Sequence, residues 1–192
     1  MWEANAFSGL TGLKSRKGDF AAARDLAGQR YHLFLKFHGP ERGTTGAERV
    51  NWAGFTARAG DVDGALAMLR EAMPVVRNGF PAGSLRTLNA LNSAAQILNM
   101  AGRFAEAESY AREALALEDK NHLAEGDGRR ASSLWQLAWS LRDRHKAQEA
   151  IPLLERALGI YEHDLKQAAN ADKVRGELAK LGISTARAPG GR

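Results

Sequence analysis

The sequence of 192 residues contains no cysteine, which excludes a disulfide framework, a thiolate metal site and a cysteine nucleophile. No stretch approaches the roughly 18 consecutive apolar residues of a membrane-spanning helix, so no membrane association is expected. The N-terminus lacks a basic segment followed by a long apolar run, so we expect no signal peptide. These absences fit a cytoplasmic protein in a reducing compartment.

Residues that favour β-strands are scarce, since valine, isoleucine and threonine are sparse along the chain. Alanine, leucine, arginine and glutamate recur instead, and all four form helices readily. The hydrophobic share of 44% and the charged share of 26% are ordinary for a globular chain and argue against disorder. The composition therefore predicts an all-α protein.

The residue patterns that carry catalysis are also missing. The five histidines are isolated and show no metal-ligand spacing, and no glycine-rich phosphate loop follows a strand. The acidic residues form no clear pair for acid–base chemistry. We therefore expect a protein that is not an enzyme and that holds no metal and no cofactor.

The net charge is +5, from 27 lysines and arginines against 22 acidic residues. A net positive charge can favour the binding of nucleic acid, acidic peptides or anionic lipid. Here the basic residues are scattered among acidic ones, and the densest basic cluster, at 142–146, falls at a predicted turn. This arrangement favours a solvated surface over a nucleic-acid footprint.

Four similar segments recur along the chain with a nearly constant period. They begin at Gly18, Gly60, Gly102 and His145, which are 42, 42 and 43 residues apart. Each glycine follows an apolar-periodic stretch and suits the positive φ of a helix end. Small residues then recur at helical spacing, which lets two antiparallel helices approach closely. Each segment is therefore predicted to join the two helices of a helical hairpin.

Breaks rich in glycine, proline, asparagine and aspartate separate the hairpins, which we place at about 3–37, 45–77, 85–118 and 128–162. The predicted helices lie near 3–17, 20–37, 45–59, 62–77, 85–101, 104–118, 128–143 and 146–162. Pro74 and Pro152 fall inside two of them, which costs about 3 kcal/mol unless the ring faces outward. A further amphipathic stretch over about 164–181 predicts a capping helix. Residues 182–192 are predicted to form a disordered tail.

Gly18, Gly60 and Gly102 are each followed two positions later by an aromatic or aliphatic residue, all four segments continue with Ala-x-x-x-(Ala or Leu), and the third and fourth end in Ala-Leu. This pattern resembles the second half of a tetratricopeptide (TPR) unit, and its long period of 42 is similar to the repeats of kinesin light chain. The resemblance implies an all-α, right-handed superhelical solenoid of four antiparallel helical hairpins plus the capping helix, with residues 1–181 as one TPR-like domain. Two departures are His145 at a turn-glycine position and the stretch 47–58, which fits the apolar template poorly.

The resemblance also implies that the first helix of each hairpin lines a concave groove that binds ligands. In the third hairpin four amide side chains share one helix face, namely Asn89, Asn92, Gln96 and Asn99. Amides both donate and accept, so this ladder could pair with the backbone of an extended peptide. A merely solvated polar stripe is the alternative.

The fourth hairpin presents Trp135, Trp139 and Arg142 on the corresponding face. The two tryptophans, four residues apart, would form one aromatic ledge, although core packing or cover by the capping helix is the alternative. In the first two hairpins Arg16 and Arg58 occupy matching positions and would face an acidic or carboxylate-bearing ligand. Ordinary arginines that suit a helix C-terminus are the alternative there.

We therefore interpret the chain as a scaffold that binds a peptide or a partner protein in the groove. A regulatory sensor for a small acidic ligand or a signalling peptide is the first alternative, and a basic helical-repeat nucleic-acid binder is the second. Protein partners are expected, a homodimer stays open, and nucleic acid is disfavoured.

Overall fold

The computed structural model describes residues 2–164 and 167–185, and every regular element among them is helical. The nine helices are α1 (Trp2–Arg16), α2 (Phe20–His38), α3 (Gly43–Arg58), α4 (Val62–Gly79), α5 (Leu88–Met100), α6 (Phe104–Lys120), α7 (Gly128–Asp143), α8 (Ala147–Gly159) and α9 (Ala168–Lys180). A 3₁₀ turn, Leu85–Thr87, precedes α5, and a π-helical turn, Ile160–Asp164, follows α8. Consecutive helices pair into four hairpins plus a terminal helix, which confirms the predicted solenoid.

The turn inside each hairpin depends on a residue with positive φ. Gly18, Gly60 and Gly102 have φ of 77°, 105° and 71°, and His145 has φ of 60° at the fourth turn. The predicted turn positions are therefore confirmed, including the one where histidine replaces glycine. A side chain in this left-handed region is strained by its Cβ, so His145 holds an unfavourable conformation that the packing of α7 on α8 maintains.

The two prolines inside helices, Pro74 in α4 and Pro152 in α8, are both exposed. Their rings therefore face solvent, which is the orientation that a helix tolerates best.

Close contact between α3 and α4 depends on a pair of glycines. A Cβ at Gly43 would lie 2.7 Å from the carbonyl carbon of Gly79, so only glycine fits there. Helix α4 extends to Gly79, two residues beyond the predicted helix end at 77. The stretch 47–58, which fits the repeat template poorly, nevertheless forms most of α3 and buries Val50, Ala53 and Ala57.

Neighbouring hairpins stack through both aromatic and polar contacts. Trp52 of α3 stacks on Tyr31 of α2 with ring centroids 5.4 Å apart, close above Gly28. Between α5 and α7, the hydroxyl of Ser140 donates to Asn99 at 2.9 Å. Two helical turns earlier, the hydroxyl of Ser133 lies 2.9 Å from the amide oxygen of Asn92. These contacts fix the angle at which successive first helices follow one another.

Helix α9 covers the last hairpin and buries Ala171, Val174 and Leu178 in a core cluster that also contains Leu154 and Tyr161. Its ion pair from Arg175 to Glu162 ties it to the π-helical turn. The capping helix is thus confirmed, beginning at 168 instead of 164. Most of the predicted tail, 186–192, lies outside the described residues.

Candidate functional site

The first helices of successive hairpins line one concave surface, with α3 packed against α5 and α5 against α7. A cavity of about 780 Å³ opens on this surface, and we call it the concave chamber. Its lining comes from α1, α3, α5, α7 and α9 and from the starts and ends of neighbouring elements: Ser15, Arg16, Gly18, Phe20, Arg58, Asn92, Ser93, Gln96, Ser132, Trp135, Gln136, Tyr161, Ala169, Asn170 and Lys173. The chamber therefore spans the array from its first hairpin to its capping helix.

The charge of the chamber lining is entirely positive. It contains Arg16, Arg58 and Lys173 and no aspartate or glutamate. Across residues 2–164 and 167–185, none of these three cations has an ion-pair partner. Three unneutralised cations around one cavity make it a favourable site for carboxylates.

Arg58 is the most constrained of these cations. Its guanidinium lies 4.2 Å from the ring centroid of Phe20 and 5.6 Å from that of Phe55. Burial lowers the pKa of Arg58, because its charge is held against aromatic rings with little water. Arginine still remains protonated at neutral pH, so the charge is retained and is only weakly solvated.

Aromatic and amide groups also line the concave chamber. The rings of Trp135 and Tyr161 meet edge to face, with centroids 6.4 Å apart and an interplanar angle of 84°. Burial raises the pKa of Tyr161 to about 12, so its hydroxyl stays neutral at physiological pH. The half-buried amide of Gln96 lines the cavity beside them and is able to both donate and accept.

A second cavity of about 420 Å³ adjoins the chamber, since Ser93 lines both. It holds Asn89 and Arg86, together with an ion pair of 3.0 Å between Arg30 and Glu48. Burial raises the pKa of Glu48, although Arg30 opposes that shift. The concave surface is thus a continuous path along α1, α3 and α5.

Five of the nine predicted binding residues come together in the concave chamber, namely Arg16, Arg58, Asn92, Gln96 and Trp135. Asn89 lies in the adjoining cavity. Whether they contact a ligand stays a prediction.

Three predicted residues lie elsewhere. Asn99 is only 2% exposed and its amide donates to the carbonyl oxygen of Gln136 at 3.0 Å, so its placement on the open groove was wrong. Arg142 pairs with Asp143 at 2.7 Å and with Glu177 of α9, so its guanidinium belongs to the attachment of the cap. Hydrogen bonds from Arg142 and from the Trp139 indole hold the pKa of Asp143 below its usual range, which places Trp139 in the same cluster.

The lining residues that the prediction did not include are led by two aromatic and two polar side chains, those of Phe20, Tyr161, Asn170 and Lys173. Lys173 and Asn170 belong to the capping helix, which the sequence marks only as a cover for the last hairpin. Their position across from Arg16 depends on the curvature of the array, and helical periodicity carries no information on that curvature.

Two features are absent from the described residues. Within 2–164 and 167–185, no group of three or more histidine, aspartate or glutamate side chains could hold a metal ion. Over the same ranges, no helix is long and apolar enough to span a membrane.

Comparison with known proteins gives family matches at two places. Models of the tetratricopeptide repeat match residues 47–120 and 130–163. No curated protein sequence matches the chain.

Solved structures with the same fold extend the likeness over nearly the whole chain. The nearly identical TPR-like repeats of a kinesin light chain-like protein from Podosopora anserina superpose with a TM-score of 0.67 at 20% identity, covering 92% of this chain and 90% of that one. A point variant of the same repeats gives 0.68 at 20% identity, with coverage of 94% and 92%. BtubC (BKLC) from P. vanneervenii gives 0.61 at 19% identity, with coverage of 97% and 84%.

Proposed function

Because the chain belongs to the tetratricopeptide-repeat superfamily, we propose that it is a non-enzymatic cytoplasmic scaffold whose concave chamber binds an acidic, extended segment of a partner protein. Repeats of this superfamily form helical scaffolds that generally take part in protein–protein interaction. The chemistry of the chamber supports the finer part of the proposal.

The charge of the chamber is the observation that carries the proposal. Arg16 and Lys173 come from opposite ends of the array, and Arg58 lies between them in the chain. None is neutralised by a neighbouring carboxylate among the described residues, so each remains available for an acidic side chain of a ligand. Charge-assisted bonds from arginine to carboxylate are among the strongest polar contacts that proteins make.

The shape of the surface favours an extended peptide over a compact small molecule. The chamber, about 780 Å³ in volume, is lined by residues from the first hairpin to the capping helix. Its continuation past Ser93 into the second cavity lengthens the path along the first helices. Gln96 lies between the two ends with its amide free to pair with a peptide backbone, and Trp135 offers an apolar ring for one side chain.

The test is a selection of random peptides displayed on phage against the purified chain. We expect the enriched peptides to be acidic and to lose binding to the triple variant Arg16→Gln, Arg58→Gln and Lys173→Gln. The matched control removes three exposed cations outside the chamber, Lys36→Gln, Arg70→Gln and Lys120→Gln, and changes the net charge equally. The selected peptides should still bind the control variant.

Two outcomes would overturn the proposal. Equal loss in both triple variants would mean that overall charge, and not the chamber, attracts the peptides. Full binding to the chamber variant would place the peptide site on another surface.

A further inference from the structure

The outer face of the first hairpin exposes two leucines, Leu10 at 47% and Leu13 at 41%. The repeat period of 42 places Leu10 at the same position as Trp52 and Ala94, and two periods place Leu13 at the position of Ile97. In the later hairpins these positions meet the preceding hairpin: Trp52 stacks on α2, and Ala94 and Ile97 are fully buried in the core shared with the second hairpin. The array therefore uses this face for stacking, and at α1 it stays uncovered within the described residues.

The opposite end of the array is closed. There α9 buries Val174 and Leu178 and turns charged side chains such as Asp172 and Lys180 outward. Among residues 2–164 and 167–185, the stacking face that no hairpin covers is therefore the outer face of α1.

The charges on the outer face of α1 are complementary to those of the same face in a second copy of the chain. Glu3, Leu10 and Lys17 follow one another at seven-residue intervals, which places them on one stripe of α1 and of the turn that ends it. Glu3 and Lys17 are exposed, and neither has an ion-pair partner among residues 2–164 and 167–185. The stripe therefore carries an acid at one end, a base at the other and a leucine midway.

We propose that a second copy of this chain covers the outer face of α1, with the two α1 helices antiparallel about a two-fold axis at Leu10. This arrangement places Glu3 of each copy beside Lys17 of the other and buries Leu10 and Leu13 between the helices. Such an interface is isologous and closes on itself as a dimer. The dimer presents two concave chambers, so a partner with two acidic segments binds with avidity.

A charge-swap experiment tests the proposed register. Glu3→Lys and Lys17→Glu each place like charges opposite one another, and each should weaken dimerisation by roughly tenfold or more in sedimentation velocity. The double variant restores both pairs within a homodimer and should recover the wild-type association. A mixture of the two single variants should form a heterodimer, because every contact is then between opposite charges.

Two further variants complete the test. Leu10→Ser should give a monomer at concentrations where the wild type is a dimer, and its melting temperature should equal that of the wild type diluted to the monomer, since this leucine is exposed in the single chain. Lys120→Glu, an exposed charge swap on α6, should leave the dimer intact. Wild-type protein that stays monomeric up to millimolar concentration would overturn the proposal. A dimer that is indifferent to the swaps at Glu3 and Lys17 would also overturn it, because another face would then be the interface.

Discussion

At the scale of single residues, Arg58 contributes most to the character of the concave chamber, because its charge is half-buried against Phe20 and has no carboxylate partner among the described residues. Arg58→Gln removes the charge and leaves a shorter, polar side chain. We expect binding of a selected acidic peptide to weaken about tenfold or more, since a hydrogen bond to a charged group contributes about 1.5–3 kcal/mol. Fluorescence anisotropy measures this, with Arg70→Gln as the control that should bind like the wild type.

Truncation of two asparagines on α5 should change the unfolding free energy by very different amounts. Asn99→Ala removes the bonds to Gln136 and Ser140 in a buried site and should cost about 2 kcal/mol of unfolding free energy. Asn89→Ala removes an exposed amide and should change that free energy by less than about 0.5 kcal/mol. Urea denaturation measures both, and a similar loss in the two variants would contradict the assignment of Asn99 to the stacking of α5 on α7.

The hairpin turns offer a second matched pair. His145 holds φ of 60° and Gly102 holds φ of 71° at equivalent turns. Gly102→Ala should lower the unfolding free energy by about 1 kcal/mol, because a Cβ is strained in this region. His145→Gly should raise it by up to about 1 kcal/mol, since the relief of strain exceeds the added flexibility of the unfolded chain. If His145→Gly instead lowers the unfolding free energy, the His145 side chain has a further structural role.

Residue spacing alone could bring Arg16, Arg58 and Gln96 to one surface, because each lies on the inner face of a first helix. It could not show that α7 covers part of that face, where Asn99 is 2% exposed and Asn92 8% exposed. That burial depends on where α7 crosses α5, and the α7 partners of both asparagines lie 37 and 41 residues away in sequence.

At the scale of secondary-structure elements, α9 should be needed for the stability of the last hairpin. Removing residues 164–192 takes away α9 and exposes Leu154, Leu158 and Tyr161, which are all buried in the intact chain. Each large apolar side chain contributes about 1.5–3 kcal/mol when buried, so we expect a lower melting temperature and aggregation. Removing only 186–192 leaves α9 intact and is the control. Equal solubility and melting temperature in the two truncations would contradict the role of α9 as a cap.

The junction of α6 with α7 contains a fully buried carboxyl group, Glu118, which accepts a hydrogen bond from Ser133 at 2.6 Å. Burial raises its pKa above the usual 4.5, and the Ser133 hydrogen bond and the charge of Arg130 oppose the shift. Because the pKa is higher in the folded state, the stabilisation from the protonated form is complete below the unfolded pKa and is lost as the pH rises through the folded pKa.

Glu118→Gln removes this titration and keeps an oxygen that can accept from Ser133. We expect the unfolding free energy of the wild type to fall relative to that of the variant as the pH rises from acidic to neutral. Chemical denaturation at a series of pH values measures the difference. A difference that is independent of pH would show that Glu118 titrates alike in the folded and unfolded chain.

Helix positions followed from the sequence because turn residues and apolar periodicity recur in each hairpin. The differences at helix ends arise from contacts across the fold. Helix α4 continues to Gly79, which lies against Gly43, and α8 ends at Gly159, where a π-helical turn that contacts α9 begins. Neither contact leaves a signal in local sequence.

At the scale of the whole molecule, the concave chamber is a property of the curved array and not of any single hairpin. Arg16 precedes Lys173 by 157 residues, yet both line the same cavity. A ligand that contacts both connects the first hairpin to the capping helix.

Nuclear magnetic resonance of the isotope-labelled chain, titrated with a selected acidic peptide, tests the central claim most directly. Amide shifts should change around Arg16, Arg58, Gln96 and Trp135 and also around Lys173 in α9, because all of them line the concave chamber. Shift changes confined to the outward surfaces of α4 and α6, with the amide signals of the chamber residues unchanged, would contradict the claim that this chamber binds the partner.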